Sequence, residues 1–330
     1  MANSKNQIKS VLTDKKALVL GSSGQDGSLI CKSLLKKGYK VIGFSRAKSN
    51  YKGNLALLGI EKECEIQKGN IEDFETIYNL VKKYNPHTIY NLAAQSSVGK
   101  SFINPTETIQ SIINGSHNIL EVARKLKYDG KIFFAGSSEI YGNTAQAASI
   151  DDKHELLSPY AIGKGSMFNL VKLYRNIYKI NCMTGVLFNH ESPYRPSNFV
   201  TQKIIKGAIK CKLNKSQKLN LGNINISRDW GWAEEYVEAI QLITNANKVE
   251  DQIICTGKLT KLRDFIRIVF NKLNLNWKDF VIEDKTLFRK AEIEKSYGNP
   301  SKLYKDLGWK SQNDIENIIE KLIEFQLKLK

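Results

Sequence analysis

No apolar run in this 330-residue sequence approaches the roughly 20 residues that a membrane-crossing helix needs, which excludes a helical membrane protein. The first fifteen residues lack the apolar stretch of an export signal, so residues 1–15 read as a polar, mobile extension. Cysteine is scarce and scattered. Cys31, Cys64, Cys182, Cys211 and Cys255 form an odd set with no CxxC and no Cys/His cluster. That excludes a zinc site and a disulfide framework, so no metal is expected and a reducing cytoplasm fits. Acidic residues are also few, 33 against 50 Lys plus Arg, for a formal net charge of +17. Such a surplus can mark a nucleic-acid or membrane-surface partner. Here the lysines are dispersed and no basic block accompanies them, so neither partner is expected. Internal repeats and low-complexity linkers are absent too.

What is present begins at Lys16–Leu20, a short apolar run that reads as a strand. Gly21, Gly24, Gln25, Asp26 and Gly27 follow in a GxxGxxG turn. A helical pattern over 28–37 and a second strand over 41–44 come next. Strand, glycine turn, helix and strand is the context of a dinucleotide fingerprint. The glycines permit a tight turn and close backbone approach, and the helix N-terminus offers free N–H groups to a pyrophosphate. After the second strand no carboxylate stands ready for ribose hydroxyls. Arg46 does, which favours the 2′-phosphate of NADP. Asn70 and Ile71 follow a strand over 65–68, and Asn70 can meet an adenine amine. Leu92, Ala93, Ala94 and Gln95 close a strand over 88–92 with small residues, where backbone can approach a cofactor. A helix over 107–126 then leads to a strand from Ile132. This alternation predicts an α/β fold with a doubly wound parallel sheet of Rossmann type and a smaller, interleaved C-terminal substrate domain. Residues 16–188 form the dinucleotide-binding part, with 224–258 contributing, and residues 189–330 are mainly substrate-binding.

Chemistry concentrates between Ser137 and Lys164. Tyr160 and Lys164 stand four apart in Tyr-Ala-Ile-Gly-Lys, on one face of a helix. A nearby cation lowers a phenol's pKa from its usual ~10 and makes a phenolate base available near neutrality. Ser137 can donate to the same substrate oxygen. Glu139 adds a carboxylate that Tyr-Lys oxidoreduction alone does not need. Trp230, Trp232 and Trp309 read as core, and Asp229 as a structural partner.

Longer motifs narrow the reading. Gly-Gln-Asp-Gly at 24–27, Tyr-Asn-Leu-Ala-Ala-Gln-Ser at 90–96, Ser-Ser-Glu-Ile-Tyr-Gly at 137–142 and Ser-Pro-Tyr-Ala at 158–161 are joined by Leu-Phe-Asn-His-Glu-Ser-Pro at 187–193 and Arg-Asp-Trp-Gly at 228–231. On these the chain resembles the GDP-mannose 4,6-dehydratases, within the extended short-chain dehydrogenase/reductase family. The resemblance implies Ser137, Glu139, Tyr160 and Lys164 as the catalytic set. It implies that His190 and Arg195 contact NADP, alongside Lys164 and the residues named above. It implies that Ser96, Ser138, Asn189, Lys203, Arg228, Arg289 and Glu292 line the site of a GDP-sugar, whose pyrophosphate gives the cations a purpose. A homodimer or homotetramer is implied too. Four positions depart from the family pattern: Ala47 replaces the second Arg of a pair, Tyr194 an Arg, Glu107 an aromatic residue, and Asn70 an acid.

The implied reaction is an internal oxidation, elimination and reduction that gives a 4-keto-6-deoxy sugar. Tyr160 takes the C4 hydroxyl proton and Glu139 the C5 proton. GDP-mannose is the favoured substrate. Another GDP-sugar such as a GDP-heptose is an alternative, as are a 4-epimerase or 4-keto reductase and a non-catalytic NADP-binding protein. Glu139 argues against the epimerase and the reductase, because neither needs a base at C5.

Overall fold

A computed structural model of the chain describes residues 15–46 and 53–328. The expected polar extension, save Lys15, and the departure at Ala47 lie outside the described residues. Two compact units emerge. Among the described residues, the first comprises 15–46, 53–140, 158–186 and 237–252, and the second 141–157, 187–236 and 253–328.

The first unit grows from strand β1, Lys16–Leu20, in which four of five residues are buried. Each fully buried Leu, Val or Ile side chain contributes about 1.5–3 kcal/mol, so so short a strand can anchor a sheet. Helix α1, Gln25–Lys36, begins at the glycine turn. Then come β2, Lys40–Ser45, the short helix α2, Asn54–Leu57, and β3, Glu65–Lys68. Helix α3, Phe74–Tyr84, is capped by the Asp73 carboxylate, which accepts from the Glu75 and Thr76 amides. Strand β4, Thr88–Asn91, is followed by α4, Val98–Ile103, and α5, Pro105–Lys125. Strand β5, Lys131–Ala135, leads through a single 3₁₀ turn over Ser138–Tyr141 toward α6, Pro159–Ile177, and β6, Cys182–Leu187.

With Gln252–Ile254 as β7, the seven-stranded sheet has the order β3-β2-β1-β4-β5-β6-β7. Every register from β3 to β6 is parallel. The order reverses between β1 and β4, and ligands of such sheets sit at that switch point, beyond the strands' carboxyl ends. The core of this unit runs from Leu18 and Ile42 through Ile112 and Phe134 to Met167 and Cys182. The α/β class and the parallel sheet were expected. Helix α4 was not, because its six residues carry too little periodicity to stand out.

The second unit uses short strands and long helices. Asn189–Glu191 pairs in parallel with Trp230–Trp232, and Ser227–Arg228 pairs with Thr260–Lys261 and Lys295–Ser296. Helices Val200–Leu213, Leu262–Lys272 and Ile315–Lys328 enclose a core of Ile204, Phe265, Phe270 and Ile319. Trp230, Trp232 and Trp309 are buried. No helix among the described residues is long and apolar enough to cross a membrane.

Candidate active site

At the switch point the backbone itself makes the cradle. Gly21 has φ +87°, a conformation that L side chains rarely adopt. A Cβ there would lie 2.8 Å from the Leu92 carbonyl and 2.9 Å from the Ala93 nitrogen, so the turn after β1 presses against the end of β4. A Cβ on Gly27 would run into the Gly21 carbonyl oxygen, so Gly27 lets α1 close onto the turn. The Gly21 amide donates to the Phe44 carbonyl at 2.8 Å and the Gly24 amide to the Gly21 carbonyl at 3.0 Å. The helix N-terminus that follows such a turn fits a dinucleotide pyrophosphate. Gln25 donates to the Asp26 carboxylate at 3.0 Å.

The other nucleotide-side candidates differ in what they offer. Arg46, just past β2, is exposed and lies 3.4 Å from the Glu107 carboxylate in the first turn of α5. Asn70 accepts the Glu72 amide at 3.2 Å through its side-chain oxygen. The Ile71 side chain belongs to the core, which leaves only its backbone for a ligand. Gln95 is committed to its own loop, donating to the Ser97 carbonyl at 2.8 Å and the Thr108 hydroxyl at 3.0 Å. Ser96 beside it is exposed.

The catalytic candidates share the first unit. Ser158 caps α6 by accepting the Ala161 amide at 3.0 Å, and Pro159 takes the first turn. This start fixes Tyr160 and Lys164 one turn apart, both buried. The Lys164 ammonium lies 5.8 Å from the Tyr160 ring centroid and donates to the Ala135 carbonyl at 2.6 Å. That bond ties α6 to the end of β5, two residues before Ser137. Burial pulls the Lys164 pKa down to about 8, and the Asp26 carboxylate offsets only part of the effect. Ser137 and Ser138 are buried, and Glu139 is half-buried. The Ser137 hydroxyl accepts the Glu139 amide at 3.3 Å, which sets the start of the turn that carries the carboxylate.

In the second unit, buried charge does the positioning. His190 Nδ1 lies 2.7 Å from the Phe188 carbonyl, which can only accept, so that nitrogen is the donor. Its ring stacks on Tyr236 at 4.6 Å. Arg195 donates to the His190 carbonyl at 2.9 Å and lies 3.3 Å from the Glu191 carboxylate. Glu191 also accepts the Thr201 hydroxyl at 2.5 Å. Sequence reasoning passed over Glu191, although it sits inside the His-Glu-Ser-Pro stretch. Asn189 opens the same strand. Arg228 and Arg289 converge on Glu292, at 3.5 and 3.9 Å. Lys203 stands apart from them, in the first turn of Val200–Leu213. Asp229 is fully buried and accepts from the Thr256 amide and hydroxyl and the Gly257 amide at 2.7–3.0 Å, a structural role.

A family profile described as GDP-mannose 4,6 dehydratase matches residues 18–322. The chain belongs to the GDP-mannose 4,6-dehydratase family. It is 36% identical over 332 residues to GDP-mannose 4,6 dehydratase 1 of Arabidopsis thaliana, covering 96% of this chain and 90% of that protein. It is 32% identical over 345 residues to the GDP-mannose 4,6-dehydratase of Sinorhizobium fredii, covering 96% and 98%. Among solved structures it is similar to an NAD complex of dTDP-glucose 4,6-dehydratase from Bacillus anthracis, with a TM-score of 0.83, 19% identity and coverage of 95% and 97%. It is also similar to UDP-glucose 4-epimerase from Thermotoga maritima, with a TM-score of 0.84, 21% identity and coverage of 96% and 100%. These two likenesses are of fold. Family membership makes the chain an enzyme, and GDP-sugar 4,6-dehydration is its family's reaction.

Proposed function

We propose that this enzyme converts GDP-mannose to its 4-keto-6-deoxy derivative, with NADP as the resident cofactor. The observation that carries the reading is the Lys164 ammonium, buried one turn from Tyr160 and bonded to Ala135 at the root of the Ser137–Glu139 turn. Tyr160, one helical turn from that cation, takes the C4 hydroxyl proton. Ser137 donates to the same oxygen as it becomes a carbonyl. The 4-keto group acidifies C5. Glu139 removes the C5 proton and passes a proton to the C6 hydroxide, which departs as water. NADP, when bound, would supply a hydride acceptor at C4 and a hydride donor at C6, and C5 then takes the proton that Tyr160 had drawn from the C4 hydroxyl, so no external reductant or proton is consumed. Ser138 and Ser96 lie along the sugar, and Asn189, Lys203, Arg228, Arg289 and Glu292 hold the GDP moiety. His190 and Arg195 serve the nicotinamide side.

NADP is supported by the absence of a carboxylate after β2 and by Arg46 in its place. A cytoplasmic, homodimeric or homotetrameric enzyme completes the proposal. The five cysteines, all free and buried, support the compartment.

The test is incubation of the purified protein with GDP-mannose, with other GDP-hexoses and with a GDP-heptose, following mass without added reductant. Loss of one water from GDP-mannose is expected. Glu139→Gln and Tyr160→Phe should each lower the rate at least about a hundredfold. Loss of water from only a different GDP-sugar would replace the substrate, and no loss from any would end the reading.

A further inference from the structure

Glu107 is not among the residues that the sequence marks as a site, yet it stands at a cofactor-selecting position. Its carboxylate occupies the first turn of α5 and lies 3.4 Å from the Arg46 guanidinium. Arg46 follows β2, whose carboxyl end is where doubly wound folds receive the adenosine ribose. A carboxylate in that place accepts the ribose hydroxyls of NAD, and an arginine there accepts the 2′-phosphate of NADP. This chain has no carboxylate directly after β2. It brings one there from α5, about sixty residues further along the sequence, beside the arginine.

We infer that Glu107 selects between the cofactors, competing with the 2′-phosphate for Arg46 and making NAD an accessible second cofactor. Both side chains are solvent-exposed, 69% and 50%, so the ion pair is weak and exchangeable. A 2′-phosphate can therefore take the guanidinium. The displaced carboxylate stays anchored on its helix, and its charge opposes the phosphate at close range. NAD meets no such opposition. Its 2′-hydroxyl finds an acceptor in Glu107 while Arg46 keeps its partner. The net effect is a narrowed preference for NADP.

The inference rests on the cofactor site proposed above, but not on the identity of the sugar. Calorimetric titration of the full-length protein with NADP+ and with NAD+ reads it without turnover. Glu107→Gln keeps the size and removes the charge, at an exposed position where folding is not at stake. NADP+ binding should tighten about fivefold and NAD+ binding stay level or weaken, widening the affinity ratio, as expected when a like charge is removed near a dianion. In an Arg46→Gln background the same change should give a smaller gain. A ratio that stays the same or narrows in Glu107→Gln, or a gain undiminished without Arg46, overturns the inference and leaves the cofactor site standing. Binding of neither dinucleotide takes down both.

Discussion

The two units hold their candidate residues by different means. In the first unit the backbone does it. The glycine turn, the ends of β1, β4 and β5, and the start of α6 fix where Gly21, Ala93, Ser137 and Tyr160 stand, and Lys164 is the only buried cation among the unit's described residues. In the second unit the strands are two or three residues long. Buried side-chain charges set the positions instead: Glu191 holds Arg195, Glu292 receives Arg228, and Asp229 gathers Thr256 and Gly257. A site on a sheet end tolerates the loss of a functional side chain. A site built from buried charge loses its support with the charge.

The largest expected effect separates the two kinds. Asp229→Ala leaves the partly buried Thr256 and Gly257 amides without an acceptor, at up to about 1–3 kcal/mol for each such group. We expect it to lower stability by about 3 kcal/mol or more. Ser137→Ala should change stability by less than about 1 kcal/mol while cutting turnover at least about a hundredfold. Denaturant unfolding and initial rates on both variants decide the matter. Equal stability losses would erase the contrast.

The same contrast explains what could be read in advance. Lys16–Leu20 declares itself as an apolar run ended by Gly21, and both it and the more polar Glu65–Lys68, ended by Gly69, were expected with their observed limits. Tyr160 and Lys164 follow from helical spacing and a Ser-Pro start. The strand at Ser227–Arg228 has no periodicity to show, since two residues cannot alternate. Arg228 lies far along the sequence from Arg289 and Glu292, so only the family resemblance pointed to the three before the structure brought Glu292 within reach of both arginines. Glu191 escaped, and Glu107 stood out only as a departure from the family pattern, because nothing local distinguishes a carboxylate that pairs across the fold from one that faces water.

A smaller effect sharpens the account of the first unit. Burial works against the Lys164 charge, and its pKa falls to about 8 against ~10.4 for an unperturbed lysine. The ammonium is therefore lost as pH rises through about 8, and with it the cation that keeps Tyr160 available as a base. Turnover should fall on the alkaline side with an apparent pKa near 8, and Lys164→Arg should move that limb upward. Between pH 8 and ~10.4 the unfolded chain binds more protons than the folded one at this position, so its contribution to stability rises with pH there. Rates that hold level beyond pH 10 would mean that the ammonium does not govern the base.

The smallest effect tests whether burial, rather than membership of the second unit, gives a charge its weight. Arg267 and Asp264 lie on one helix of that unit, 3.2 Å apart, with 54% and 47% of their side chains exposed. Water screens such a pair, and its geometry costs rotamer freedom, so exposed pairs contribute about 0–1 kcal/mol. Asp264→Ala should therefore shift stability by less than about 0.5 kcal/mol, with the first-turn position of Asp264 accounting for part of that through the helix dipole. It is the counterpart of Asp229→Ala: the same residue type in the same unit, separated by exposure. A loss from Asp264→Ala comparable to that from Asp229→Ala would show that the second unit depends on its charges wherever they lie, and the distinction between backbone-held and charge-held sites would then describe net charge and not burial.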